Sequence, residues 1–166
     1  MKQISLALGL LIAGCGEGDP PAPRAAQPKL DLIDFFTGPS NGKGKIDILF
    51  RDSKSLRVIS HGKPNGRGGL ILEQRLAEGS KMRRRRWVMK CSANGNCDGT
   101  LTDASGPVRV QVRGNAAHIR YRMHNRLDVD QWLMLRPDRR TIDNCLRVSK
   151  WGLSVATVDE VIRRQP

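Results

Sequence analysis

The chain has 166 residues, 39% hydrophobic and 27% charged, which suits one folded domain with a core and argues against wholesale disorder. Its 29 Lys and Arg against 16 Asp and Glu give a formal charge of +13. The length excludes a two-domain dinucleotide enzyme and a (β/α)8 barrel, which needs about 250 residues. An aromatic content of 4% argues against a stacking platform for single-stranded nucleic acid.

The chain opens with Lys2 and an apolar run from Ile4 to Ala13. A membrane span needs about 20 apolar residues, so this run is too short to cross a bilayer and has the length of a secretory h-region. It ends Ile12-Ala13-Gly14-Cys15, small residues before a cysteine that resemble the lipobox of bacterial lipoproteins. That resemblance implies cleavage between Gly14 and Cys15, with acyl chains carried by Cys15; the alternative is an ordinary cleaved signal with an incidental cysteine. Several chains on one residue hold a protein firmly, where one chain alone holds marginally. Gly16 follows the cysteine in place of Asp, which by resemblance to lipoprotein sorting favours the outer membrane over the inner. Pro20, Pro21, Pro23 and Pro28 then stiffen a segment of small residues. The expected organisation is a signal peptide (1–14), a lipidated cysteine with a Pro-rich linker (15–29) and a β domain (30–166), held on the periplasmic side of a bacterial envelope.

Leu30 to Phe36 reads as a helical turn or an opening strand, and Thr37 to Gly42 as a turn cluster. Alternation then begins: Ile46, Ile48 and Phe50, next Leu56 and Val58, then Leu70 and Leu72 after a Gly-rich break from Gly62 to Gly69. The clearest hairpin has Val108, Val110 and Val112 on one face, a turn at Gly114-Asn115, and Ala117, Ile119, Tyr121 and Met123 returning. Strands over Val129–Leu135 and Thr141–Val148 flank a turn at Arg136-Pro137-Asp138-Arg139. Leu153 to Val161 is ambiguous between strand and helix. Turn signals every 8–12 residues or so, without a strand–helix–strand rhythm, predict an all-β antiparallel barrel or strongly curved meander.

Leu30-Asp31-Leu32, Phe35-Phe36, Gly38, Gly42, Trp87, Asp98-Gly99, Gly114-Asn115-Ala116, Trp132-Leu133-Met134, Asn144 and Ser149-Lys150-Trp151-Gly152 together resemble an uncharacterised family of proteobacterial lipoproteins with a lipocalin-like barrel. The resemblance runs from about Leu30 to Val161 and implies that fold; it implies no activity. The chain departs from the pattern at Arg51-Asp52-Ser53-Lys54, where such proteins tend to read Asp-Arg-x-Gly, and in the more basic run Lys81 to Arg86.

Positive charge gathers in two windows, Lys81 to Lys90 and Ala104 to Leu127. Arg109, Arg113, Arg120 and Arg122 fall opposite the apolar face of the hairpin, as a wet basic surface. That surface serves solubility, or docks on phospholipid or lipopolysaccharide phosphates; nucleic acid is disfavoured by the exported address. Arg83 and Arg85 share a strand face with Trp87 and Met89.

A barrel of about eight strands can hold one small apolar ligand, and the alternative is a filled interior. The candidate lining is Ile46, Ile48, Val108, Val110, Ile119, Tyr121, Met123 and Trp132. The candidate ligand-binding set is Trp87, Tyr121, Asp130, Trp132, Asn144 and Lys150, polar groups beside aromatics, each of which also reads as ordinary structure. Cys91 and Cys97 face each other across a tight Asn94-Gly95 turn and can form a disulfide in an oxidising compartment. Cys145 is left as a free thiol or an alternative partner. No metal is expected: His118 and His124 are six residues apart, about 20 Å along a strand. With no Gly-x-Ser-x-Gly, His-Glu-x-x-His or phosphate-binding glycine loop, the expectation is a non-enzymatic envelope protein without a cofactor. It would bind a lipid-like or amphiphilic molecule or a membrane partner; the rival is a structural or assembly factor docking through its basic face.

Overall fold

The computed structural model describes residues 26–66 and 68–166. The expected signal peptide, Gly14, Cys15 and most of the linker lie outside the described residues. A five-residue helix, α1 (Leu32–Phe36), precedes ten strands: β1 (Gly38–Ile48), β2 (Arg51–Pro64), β3 (Gly69–Glu78), β4 (Lys81–Cys91), β5 (Asn96–Leu101), β6 (Val108–Arg113), β7 (Ala116–Arg122), β8 (Asp128–Leu135), β9 (Thr141–Lys150) and β10 (Leu153–Arg164). Each strand pairs antiparallel with the next, and β1 also pairs with β10, closing the barrel. Closure leaves no sheet edge to attract another chain. The fold is thus the all-β antiparallel barrel that the alternation predicts.

Three local expectations need correction. Gly38 to Gly42 begins β1, because pairing with β2 on one side and β10 on the other overrides its turn-like composition. Phe50 leaves the alternation of β1 and stands in the β1–β2 turn. The ambiguous tail is the long strand β10, whose backbone groups complete the ladder on both sides.

The two ends of the barrel differ. At one end α1 acts as a plug. Asp31 caps it by accepting a hydrogen bond from the Asp34 backbone N–H at 3.0 Å. Its buried Leu32, Phe35 and Phe36 join Leu70, Trp87, Met89, Val108, Val110, Ile119, Leu133 and Ile142 in one continuous core. Gly62 lets the plug sit close, since a Cβ there would fall 1.8 Å from the Phe36 carbonyl oxygen. The Cys91–Cys97 disulfide clips the β4–β5 hairpin at this end. Towards the other end Leu56, Val58 and Leu76 form a second, smaller buried cluster, and the interior opens beside it.

Candidate functional site

The open half of the barrel encloses a cavity of about 160 Å³, comparable to engineered cavities that accept a benzene-sized ring. Its walls are mostly apolar, including Ile46, Leu56, Val58, Leu76, Leu146 and Val158. Its floor is polar. Gln131 from β8, Asn144 from β9 and Glu160 from β10 take the inward phase of three adjacent strands and are buried.

These three side chains form a directional chain. Gln131 Nε2 donates to Asn144 Oδ1 at 2.9 Å, and Asn144 Nδ2 donates to Glu160 Oε2 at 2.7 Å. Glu160 Oε2 thus orients the Asn144 amide, whose Oδ1 in turn orients Gln131. Two acceptors are left over: Gln131 Oε1 and Glu160 Oε1 are buried with no hydrogen-bond partner. Buried polar atoms are ordinarily satisfied, so these two acceptors leave hydrogen-bonding capacity unfilled beside the cavity floor. Glycine makes room for the carboxylate: a Cβ on Gly42 would lie 1.7 Å from Glu160 Oε1, and Gly44 stands opposite Glu160 across the β1–β10 ladder. Burial holds the Glu160 carboxyl above its ordinary pKa, against smaller opposing contributions from Asn144 and Arg85.

One wall is cationic. Arg83 and Arg85 enter from β4 on the face that carries Trp87 and Met89. Arg85 Nε donates to Gln74 Oε1 at 3.1 Å, and Trp87 Nε1 donates to the same oxygen at 2.8 Å. Gln74 in turn donates to Ser60 Oγ at 3.0 Å. Arg83 is held at the rim by Glu78 and Asp103. Tyr121 sits edge-on to Trp87 with ring centroids 5.9 Å apart, and burial pushes its phenol pKa up. Trp87 therefore closes the packed half while its neighbours line the hollow half.

The structure brings together only part of the set expected from sequence. Tyr121 and Asn144 line the cavity, and Trp87 lies just beneath it. Asp130 and Trp132 do not face inward, because the pleat of β8 turns Val129, Gln131, Leu133 and Leu135 to the interior. On the outer face Trp132 stacks on His118, with centroids 5.0 Å apart, and Arg147 lies over its ring. Asp130 pairs with His118 Nε2 at 2.8 Å. Lys150 is exposed at the end of β9, beside Trp151. Of the expected lining, Ile46, Tyr121 and Met123 adjoin the cavity, whereas Val108, Val110 and Ile119 fill the packed half. Gln131, Glu160, Arg83 and Arg85 were not in the expected set. The arginines had a signal, their shared phase with Trp87 and Met89; the two acidic and amide floor residues had none beyond strand phase.

Arg109, Arg120 and Arg122 form an outer patch on β6 and β7, as expected, but acids interleave with it. Arg122 Nε bonds Asp128 at 2.7 Å, and Arg120 stands opposite Asp130. Arg113 is at the far end of β6, near the plug. Cys145 is partly exposed on the outer phase of β9 and does not lie in the core. Among the described residues no group of three or more His, Cys, Asp or Glu is arranged to hold a metal ion.

Comparison with solved structures places the barrel among lipocalin-like folds. A protein of unknown function from the DUF3598 family of Nostoc punctiforme is similar at a TM-score of 0.62 and 12% identity, over 84% of this chain and 51% of that one. This chain thus spans about half the length of the Nostoc protein. The S-type phycobiliprotein lyase of Guillardia theta is similar at a TM-score of 0.61 and 5% identity, over 81% of this chain and 90% of the lyase. At these identities the likeness is one of fold. No curated protein matches the chain. The DUF3833 family of proteins of unknown function matches residues 9–164, nearly the whole sequence, and the chain belongs to that family.

Proposed function

We propose that the domain binds one small amphiphile in the hollow half of its barrel, with the polar end on the Gln131–Asn144–Glu160 floor and the apolar body against Val58, Leu76, Leu146 and Val158. The observation that carries this is the pair of orphaned acceptors, Gln131 Oε1 and Glu160 Oε1, on side chains at the base of a cavity whose walls are mostly apolar. They call for a head group that donates hydrogen bonds. An alcohol or primary amide supplies such a donor without bringing a charge into the cavity. The cavity takes a ring or a short alkyl segment, and a longer chain would leave through the open end. The role is one of binding, with no bond made or broken.

We also read the protein as a bacterial lipoprotein, anchored through Cys15 and facing the periplasm, on the strength of the Ile12-Ala13-Gly14-Cys15 pattern. Mass spectrometry of the N-terminal peptide tests that address: a diacylated Cys15 supports it, and an unmodified Met1 contradicts it.

The ligand reading is tested by calorimetric titration with 1-hexanol, hexanamide and hexanoate. Ligands this small should bind with about 4–5 kcal/mol, a Kd in the millimolar to sub-millimolar range. The alcohol or amide should bind more tightly than the carboxylate. Hexanoate binding best would move the head group to Arg85 and reverse the proposed orientation; no binding of any of the three would remove the reading.

A further inference from the structure

The hairpin turns at the open end are unusual in what they expose. Phe50 in the β1–β2 turn is 94% exposed and Trp151 in the β9–β10 turn is 88% exposed. Both have positive φ, 59° and 51°. Gly and Asn fill such turn positions readily, and bulky side chains rarely do. These two aromatics therefore occupy strained positions and bury nothing within the chain. The two turns are neighbours, since β1 lies between β2 and β10 and the Leu49 N–H donates to the Val155 carbonyl at 3.0 Å. Leu49 and Leu153 flank them and are also exposed, as is Met82 at the start of β4 on the same rim. The large exposed hydrophobics of the described residues thus gather at the open end, with Ile59 on the outer wall as the exception.

Basic side chains predominate around this apolar rim. Arg51, Lys81, Arg126 and Lys150 are exposed at the same end, and none of them forms an ion pair among the described residues. The rim acids Asp47, Glu78, Asp103 and Asp128 are each taken by a basic neighbour, which leaves Asp52 as the counterweight. Aromatic and aliphatic tips ringed by basic side chains match the boundary between head groups and acyl chains in an anionic bilayer.

We infer that the open rim is a membrane-docking surface: Phe50 and Trp151 insert into an anionic phospholipid leaflet while Arg51, Lys81, Arg126 and Lys150 meet its phosphates, so that the cavity opens onto the membrane. This does not rest on the ligand reading, since the rim can dock whether or not the cavity is filled.

Trp151 reports on the inference directly, because Trp87 and Trp132 are buried. The full chain is mixed with phosphatidylcholine vesicles that carry brominated acyl chains, with or without roughly 30 mol % phosphatidylglycerol. Emission is compared with that of Trp151→Asn, which supplies the background of the buried pair. The expected result is bromine quenching of the Trp151 emission, stronger with phosphatidylglycerol and reduced by salt. Phe50→Asn should reduce it severalfold while melting no lower than the parent, because Asn suits the turn. Arg51→Glu and Lys150→Glu should each weaken partitioning by about fivefold or more. Unquenched Trp151 in anionic vesicles overturns the inference. Equal quenching in purely zwitterionic vesicles overturns the anionic assignment. Shielding of Trp151 that rises with protein concentration in the absence of vesicles gives the rim to a second copy of the chain.

Discussion

Leu133 and Leu76 are both 2% exposed, yet truncating them to alanine should cost different amounts. Leu133 belongs to the packed core beneath the plug. Its loss forfeits about three methylene equivalents of transfer free energy, about 2.4 kcal/mol. If a new void of about 60 Å³ persists, it adds about 1.4 kcal/mol, for a total near 4 kcal/mol. Leu76 sits in the small cluster that walls the cavity. Its inner side already lacks packing partners, so fewer contacts are lost, and the enlarged space is continuous with the open end, where water can enter. Its cost should stay near about 2 kcal/mol. For a chain of this size a gap of about 2 kcal/mol separates the melting temperatures by about 4–8 °C. Urea unfolding of the two variants, with unchanged m-values, measures the gap. Equal costs would refute the division of the barrel into a filled half and a hollow half.

Glu160→Gln tests the buried carboxyl. Its pKa is higher in the folded state than in the unfolded one, so between those two values the folded protein holds more protons and wild-type stability falls as pH rises. The variant should lack that fall, and its advantage in melting temperature should be larger at pH 8 than at pH 4; a constant difference would count against a perturbed Glu160. Gly42→Ala should displace the carboxylate, since a Cβ there would meet Glu160 Oε1 at 1.7 Å, and should lower both melting temperature and hexanol affinity; an unchanged affinity would place the head group elsewhere. Opening the Cys91–Cys97 bridge by Cys91→Ser with Cys97→Ser frees a loop with a sequence separation of six. The loss expected by denaturant unfolding is about 2 kcal/mol in the loop-entropy account, and no loss would show that the hairpin alone holds that corner.

The barrel was legible because its strands alternate: β6 and β7 show the pattern without interruption, and β4 carries Arg83, Arg85, Trp87 and Met89 on one phase. Strand β8 was less legible. Its outer phase carries Trp132 and Met134 and its inner phase Gln131, so hydrophobicity does not say which side faces the core. The outer Trp132 is covered by His118 and Arg147 from neighbouring strands, a cross-strand arrangement that no local window contains. The floor was hidden for the same reason. Gln131, Asn144 and Glu160 come from three strands, and their polarity reads as solvent-facing until closure of β10 on β1 buries them. The start of β1 was hidden because Gly42, a residue type that usually signals a turn, serves here to admit Glu160.

The most direct measurement follows the side-chain amide resonances of Gln131 and Asn144 by NMR while 1-hexanol is added. If the hollow half takes the alcohol with its hydroxyl on the floor, these two amides and the methyl groups of Val58, Leu76, Leu146 and Val158 shift together and saturate, while Leu133 and Ile142 stay in place. Shifts confined to the packed half or to the outer surface around Trp132, with the floor amides unmoved, would contradict the account.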